Sequence, residues 1–210
     1  MNRRWLLGAA SAALAAPTLL SLVRPGSSWA QGVDVKAVLH DPEAPEAGNP
    51  KGDVTIVSYF DYNCPFCKQS EPHLKKLVTT DGKIRLIYKD WPILTDASMY
   101  GARMALAAKQ QGKYQEAHDA LLAIPGRRIP KDKMLEALAS TSIDIKRLEE
   151  DFKVHSAAIT ALIRRNMAQA DAMGLQGTPA FLVGPFKIAQ ALDYAGFKDA
   201  VAQARAQQKS

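Results

Sequence analysis

The sequence predicts an α/β fold in which a strand delivers a Cys-x-x-Cys pair to the start of a helix and a helical segment is inserted before the sheet resumes. Three observations carry this reading. Val54 to Phe60 is an unbroken β-branched and aromatic run that leads straight into Asp61-Tyr62-Asn63-Cys64-Pro65-Phe66-Cys67. Ser98 to Met173 shows no strand signal, and Ala180 to Val183 returns to strand character. With 210 residues the chain fits one folded unit carrying an inserted subdomain, with ample length to bury a core.

Residues 1–30 read as a signal peptide, which places the mature chain at 31–210. Arg3 and Arg4 charge the start, Trp5 to Val23 is largely apolar, and Ser28-Trp29-Ala30 offers small residues around a cleavage point. The stretch Asn2-Arg3-Arg4-Trp5-Leu6-Leu7 also resembles a twin-arginine export signal. The apolar run has the length of a short membrane anchor, but Pro17, several alanines and the cleavage site favour release into the periplasm. The leader holds three arginines and no acid, so the formal charge of +6 falls to about +3 for the mature chain. Nothing in that balance calls for a nucleic-acid partner.

A first strand is expected near Val35 to Leu39, followed by a loop from Asp41 to Asp53, which is rich in Pro, Gly and acids. Val54 to Phe60 reads as a strand buried on both faces. A helix follows over Cys67 to Val78, with Pro65 tolerated in its first turn and Pro72 expected to kink it. Lys83 to Lys89 is the next strand, ended by Trp91-Pro92. Four or five helices are expected over about 97–173, broken at Gly112, Pro125-Gly126, Pro130 and Ser140 to Asp144. In the last of them Ile159, Ile163, Met167 and Ala170 form an apolar face, and Gly174 suits a C-terminal cap. Strand Ala180 to Val183, the turn Gly184-Pro185, a short strand Phe186 to Ile188 and a helix from about Tyr194 to Gln207 complete the chain.

Cys64 and Cys67 are the only cysteines, so they do not staple a small fold with several bridges and require explanation as a site. The spacing lets the second sulfur reach the first within one helical turn, so the pair can close a disulfide or open to two thiols. If Cys64 caps the helix, unpaired N–H groups and the positive end of the helix dipole favour its thiolate. Cys64 is then the nucleophile and Cys67 the resolving thiol, with the uncharged Pro65 and Phe66 tuning the pair. The alternative is half of a zinc or copper site, which needs two more ligands, and none follows at a recognised spacing. His40, His73, His118 and His155 are scattered and read as surface or packing histidines.

The motif Phe60-Asp61-Tyr62-Asn63-Cys64-Pro65-Phe66-Cys67, followed beyond the helical stretch by Gly177-Thr178-Pro179-Ala180-Phe181-Leu182-Val183, resembles the DsbA-like branch of the thioredoxin superfamily. The resemblance covers nearly all of the mature chain. It implies a thioredoxin fold with an inserted α-helical subdomain, a cis Pro179 facing the cysteines, and Thr178 offering backbone hydrogen bonds to an extended substrate. Read by itself, Thr178-Pro179 is also an ordinary turn before a strand. The chain departs from the superfamily at Ser58, six residues before Cys64, where an acid is common. Losing that charge removes a repulsion on the Cys64 thiolate and makes the disulfide more oxidising.

The resemblance further implies a protein thiol:disulfide oxidoreductase that introduces disulfides into exported proteins, reoxidised by a membrane partner and needing no cofactor. A disulfide isomerase or reductase is the nearest alternative, since Thr178 before the proline also occurs in isomerase-like relatives. A periplasmic copper-binding module is the other.

Overall fold

The computed structural model describes residues 32–209. The leader expected at 1–30 lies outside the described residues. Five strands form one sheet in the order β1-β3-β2-β4-β5. They are β1 Glu46–Gly48, β2 Val54–Phe60, β3 Ile84–Asp90, β4 Ala180–Val183 and β5 Phe186–Ile188. β2 and β3 run parallel from Val54 opposite Ile84 to Phe60 opposite Asp90, and the other pairings are antiparallel.

Both faces of the central strands are covered, as the near-continuous burial along β2 and β3 shows. Side chains alternate along β2, so Val54, Ile56 and Phe60 face one way and Val57 and Tyr59 the other. The first set joins Leu74, Leu77 and Val78 of α2 (Pro65–Asp81) and Phe197, Val201 and Ala204 of α7 (Tyr194–Gln207) in one core. The second set packs with Val38, Ala170 and Met173 in a smaller core on the opposite face.

Two expectations near the start are corrected. Val35–Leu39 is a helix, α1, not a strand. Asp34 caps it by accepting from the Ala37 N–H at 3.0 Å, and Val35, Val38 and Leu39 lie against the smaller core. The sheet edge comes instead from the Pro- and Gly-rich stretch expected to be a loop. There Glu46–Gly48 pairs with Arg85 to Ile87 of β3. An edge strand of three residues needs only the neighbour's backbone groups, so its composition carries little strand signal.

The segment between β3 and β4 is helical: α3 (Asp96–Ala108), a 3-10 turn (Lys109–Gln111), α4 (Tyr114–Ala123), α5 (Lys131–Ala139) and α6 (Ile145–Ala172). Asp144 caps α6 by accepting from the Arg147 N–H at 3.1 Å. Ile159, Ile163 and Ala170 are buried on its inner face, and Met167 is partly so. α3 presses close to the strand-to-helix turn that carries the cysteines. A Cβ on Gly101 would stand 3.1 Å from Met134 Sδ and 3.2 Å from the Tyr62 ring, so only glycine lets the helix approach without displacing either.

Candidate active site

The turn from β2 into α2 is held by one buried carboxylate. Asp61 Oδ1 accepts from the Asn63 N–H at 2.7 Å, and Oδ2 accepts from the N–H groups of Ile93 and Leu94 at 2.8 and 3.0 Å. The Cys64 N–H donates to the Asp61 carbonyl at 3.0 Å. These bonds place Cys64 at the N-cap of α2 in extended backbone, with Pro65 at the first helical position where no N–H is needed. Pro72 lies inside α2, where it removes the N–H that would bond to the Lys68 carbonyl.

The capping atom is a sulfur: Cys64 Sγ accepts from the Cys67 N–H at 3.3 Å. Both cysteines are free thiols and both are buried. Their acidities are driven apart. A hydrogen bond from the Cys67 thiol, helped by the N–H groups of Cys67 and Phe66, outweighs burial and holds Cys64 down to about 6. Burial, with the Cys64 sulfur alongside, pushes Cys67 well up. One sulfur is thus a thiolate at neutral pH and its neighbour a protonated donor. That is the arrangement thiol–disulfide exchange requires.

β4 brings the second motif against the first. The Thr178–Pro179 peptide is cis, and the Thr178 carbonyl oxygen lies 3.2 Å from Cys64 Sγ, where it accepts from the thiol form. The Thr178 hydroxyl is buried without a hydrogen-bond partner among the described residues. Ser58 sits on β2 opposite Tyr88 and Phe181, buried on the α2 face with Ile56 and Phe60. No carboxylate stands at that position, but the buried Glu71 lies one helical turn beyond Cys67. Phe66 is the outlier of the motif, a large apolar side chain left 56 % exposed beside the thiolate.

Some contributors have no local signal in the sequence. Asn63 is buried and binds the helical segment: its Nδ2 donates to Thr95 Oγ1 at 2.9 Å, and its Oδ1 accepts from the Ile129 N–H at 2.6 Å. Leu94, Thr95, Arg127 and Arg128, all distant in sequence, join Asn63, Cys64, Phe66 and Thr178 around a groove of about 690 Å³ at the thiolate. His118 is a packing histidine, fully buried among Phe60, Tyr62 and Tyr88, with Nδ1 3.2 Å from the Tyr62 hydroxyl and Nε2 3.3 Å from Glu71. Among the described residues no group of three or more His, Cys, Asp and Glu side chains is placed to hold a metal.

Residues 41–203 match the thioredoxin family model. The chain belongs to the thioredoxin family. This thioredoxin-family chain is similar to the crystal structure of a thioredoxin-like oxidoreductase from Silicibacter pomeroyi, with 38% identity and a TM-score of 0.77 over 82% of this chain and 98% of that one. It is also similar to the thiol-disulfide exchange protein alpha-DsbA2 from Wolbachia pipientis, with 29% identity and a TM-score of 0.74 over 80% and 90% of the two chains. Its DsbA-like relatives are thus thiol–disulfide exchange proteins on the same fold. Part of a Na(+)/H(+) antiporter NhaA 1 from Salinispora arenicola is 35% identical over 147 residues, 68% of this chain and 22% of that protein. The chain spans less than a third of the length of the antiporters it matches.

Proposed function

We propose that this chain is an exported protein thiol:disulfide oxidoreductase that works as an oxidase through Cys64 and Cys67. The observation that carries the reading is the split between the two sulfurs. Cys64 is held down to about 6 at a helix N-cap against Thr178-Pro179, while Cys67 is buried and pushed well up. A stabilised Cys64 thiolate favours the dithiol form, and a dithiol form that is favoured makes the disulfide the stronger oxidant.

In the oxidising direction a substrate thiolate attacks Cys64 Sγ of the Cys64–Cys67 disulfide. The S–S bond breaks, Cys67 leaves as a thiolate and takes a proton, and a mixed disulfide joins substrate to Cys64. A second substrate thiolate then attacks the substrate sulfur of that bond and expels the Cys64 thiolate. The substrate has lost two electrons and two protons in forming its disulfide, and the enzyme holds the two electrons as a dithiol. A membrane redox partner, itself a disulfide linked to an electron acceptor, returns it to the disulfide form.

Cys64 and Cys67 are the catalytic residues in this reading. Thr178 and Pro179 border the substrate, and Pro65, Phe66 and Ser58 tune the pair. The signal peptide at 1–30 supports export and periplasmic action of residues 31–210, where substrates are thiol- or disulfide-containing exported proteins. Among the described residues no helix is long and apolar enough to cross a membrane.

The spacing by itself leaves the direction open, since proteins sharing it span about 150 mV in potential. The test is therefore an equilibrium titration of residues 31–210 in glutathione buffers, paired with a disulfide-isomerisation assay. A potential near about −120 mV with little isomerisation supports the oxidase. A value near about −270 mV, or efficient reshuffling of a scrambled substrate, assigns a reductase or isomerase instead.

A further inference from the structure

Two arginines stand on the rim of the thiolate groove with no carboxylate partner among the described residues. Arg85, Arg147, Arg165 and Arg205 each pair with a carboxylate. Arg127 and Arg128 are exposed, and neither pairs with a carboxylate of the described residues, although both line the groove at Cys64. The ten residues around that groove include no acid. Its remaining walls are apolar at Phe66 and at Leu94, which is 49 % exposed.

The placement is built rather than incidental. The 124–129 strap that carries the arginines is tied at both ends to the cysteine turn and its helix. At one end Lys68 Nζ donates to the carbonyls of Ile124 and Gly126 at 2.7 and 3.2 Å. At the other, Asn63 bonds both the N–H and the carbonyl of Ile129, at 2.6 and 3.3 Å. Between the anchors Arg128 holds a φ of 52°, a left-handed backbone that residues with a Cβ rarely adopt. Such strain persists where the surroundings over-determine it, and the two anchors supply that constraint. Lys68 turns its donors to the Ile124 and Gly126 carbonyls, so the cationic side chains that line the groove itself are Arg127 and Arg128.

We propose that this groove selects, among substrate thiols, extended segments that carry carboxylates within a few residues of the reacting cysteine. Arg127 and Arg128 receive the carboxylates in charge-assisted hydrogen bonds while Phe66 and Leu94 support the backbone. The proposal rests on thiol exchange at Cys64 and names the substrate class for that same site.

The test uses two synthetic peptides with one central cysteine, flanked in one by glutamates and in the other by glutamines. Each is reacted with the oxidised protein. Each rate is divided by the same peptide's rate with a small neutral disulfide, which removes the effect of the flanking charges on the peptide's own thiol. The glutamate peptide is expected to react about tenfold faster at low ionic strength, with the preference falling below about threefold in 0.5 M NaCl. Arg127→Gln/Arg128→Asn is expected to remove most of the preference, and Arg127→Gln, at ordinary backbone geometry, about half of it on the logarithmic scale. Equal normalised rates for both peptides with the unaltered protein overturn the substrate class while leaving exchange at Cys64 intact. A preference that survives both variants overturns the assignment to the strap. If neither peptide exchanges with the protein, the oxidoreductase reading falls and takes this proposal with it.

Discussion

Cys64 Sγ and the Thr178 carbonyl oxygen lie 3.2 Å apart, joining residues 114 positions apart in the chain. The carbonyl accepts from the sulfur only while Cys64 carries its proton. Once the thiolate forms, the sulfur is left to the donors on its other side: the Cys67 thiol and the N–H groups of Cys67 and Phe66. Ionisation thus releases the Thr178 carbonyl to accept from another donor.

Alkylation should separate the two sulfurs. With iodoacetamide, the rate of modification of the reduced protein should follow a titration with a midpoint of about 6, with label on Cys64 and not on Cys67 by peptide mass spectrometry. Because the bond from Cys67 is the largest influence on Cys64, Cys67→Ala should move that midpoint upward. A midpoint unchanged by the substitution would show that the helix N–H groups suffice.

The stability of the reduced form should depend on pH with a definite sign. The folded Cys64 value of about 6 lies below the 9.0 of an ordinary thiol, so ionised Cys64 favours the folded dithiol. That contribution is complete above about 9 and is lost as pH falls through about 6. Below about 8 the buried Cys67 is neutral in the folded chain and almost wholly so in the unfolded one, so it adds little. The difference in Tm, reduced minus oxidised, should therefore shrink as pH is lowered from about 8 to 5 in calorimetry. A difference that is flat or growing over this range would contradict a depressed Cys64.

Ser58→Glu places a carboxylate on the α2 face of β2, below the cysteine helix. Its charge should disfavour the Cys64 thiolate, raise the alkylation midpoint and lower the reduction potential in a glutathione titration. An unchanged potential would remove Ser58 from the residues that set the redox poise.

Asn63→Ala should cost about 2–3 kcal/mol in urea unfolding, because it leaves the Ile129 N–H buried without its acceptor and removes the bond to Thr95. A cost below about 0.5 kcal/mol would mean that water replaces the side chain and that the strap is not anchored there.

Gly101→Val should destabilise by about 1–3 kcal/mol, since its branched side chain meets Met134 and Tyr62 where even a methyl is tight. The gain in helix propensity over glycine is under about 1 kcal/mol, so overpacking decides the sign. A stabilised variant would show that α3 can move away from the turn.

The sequence by itself determined the elements whose signal is local. Val54–Phe60 is legible because it is a β-branched and aromatic run with no charge and no breaker, and the breaks at Gly112 and around Pro125 to Pro130 because those residues limit backbone geometry wherever they occur. The Cys-x-x-Cys spacing is a local signal too, whereas Thr178-Pro179 reads by itself also as an ordinary turn and stands out only through the family resemblance. Only the tertiary structure decided the rest. Glu46–Gly48 is a strand because β3 offers it backbone partners, and Val35–Leu39 is a helix because one aspartate caps it over an apolar cleft. Arg127 and Arg128 read as an ordinary loop until Asn63 and Lys68 draw them to the thiolate. Long-range hydrogen bonds obey no sequence period, so the groove that selects a substrate becomes visible only when the chain has closed on itself.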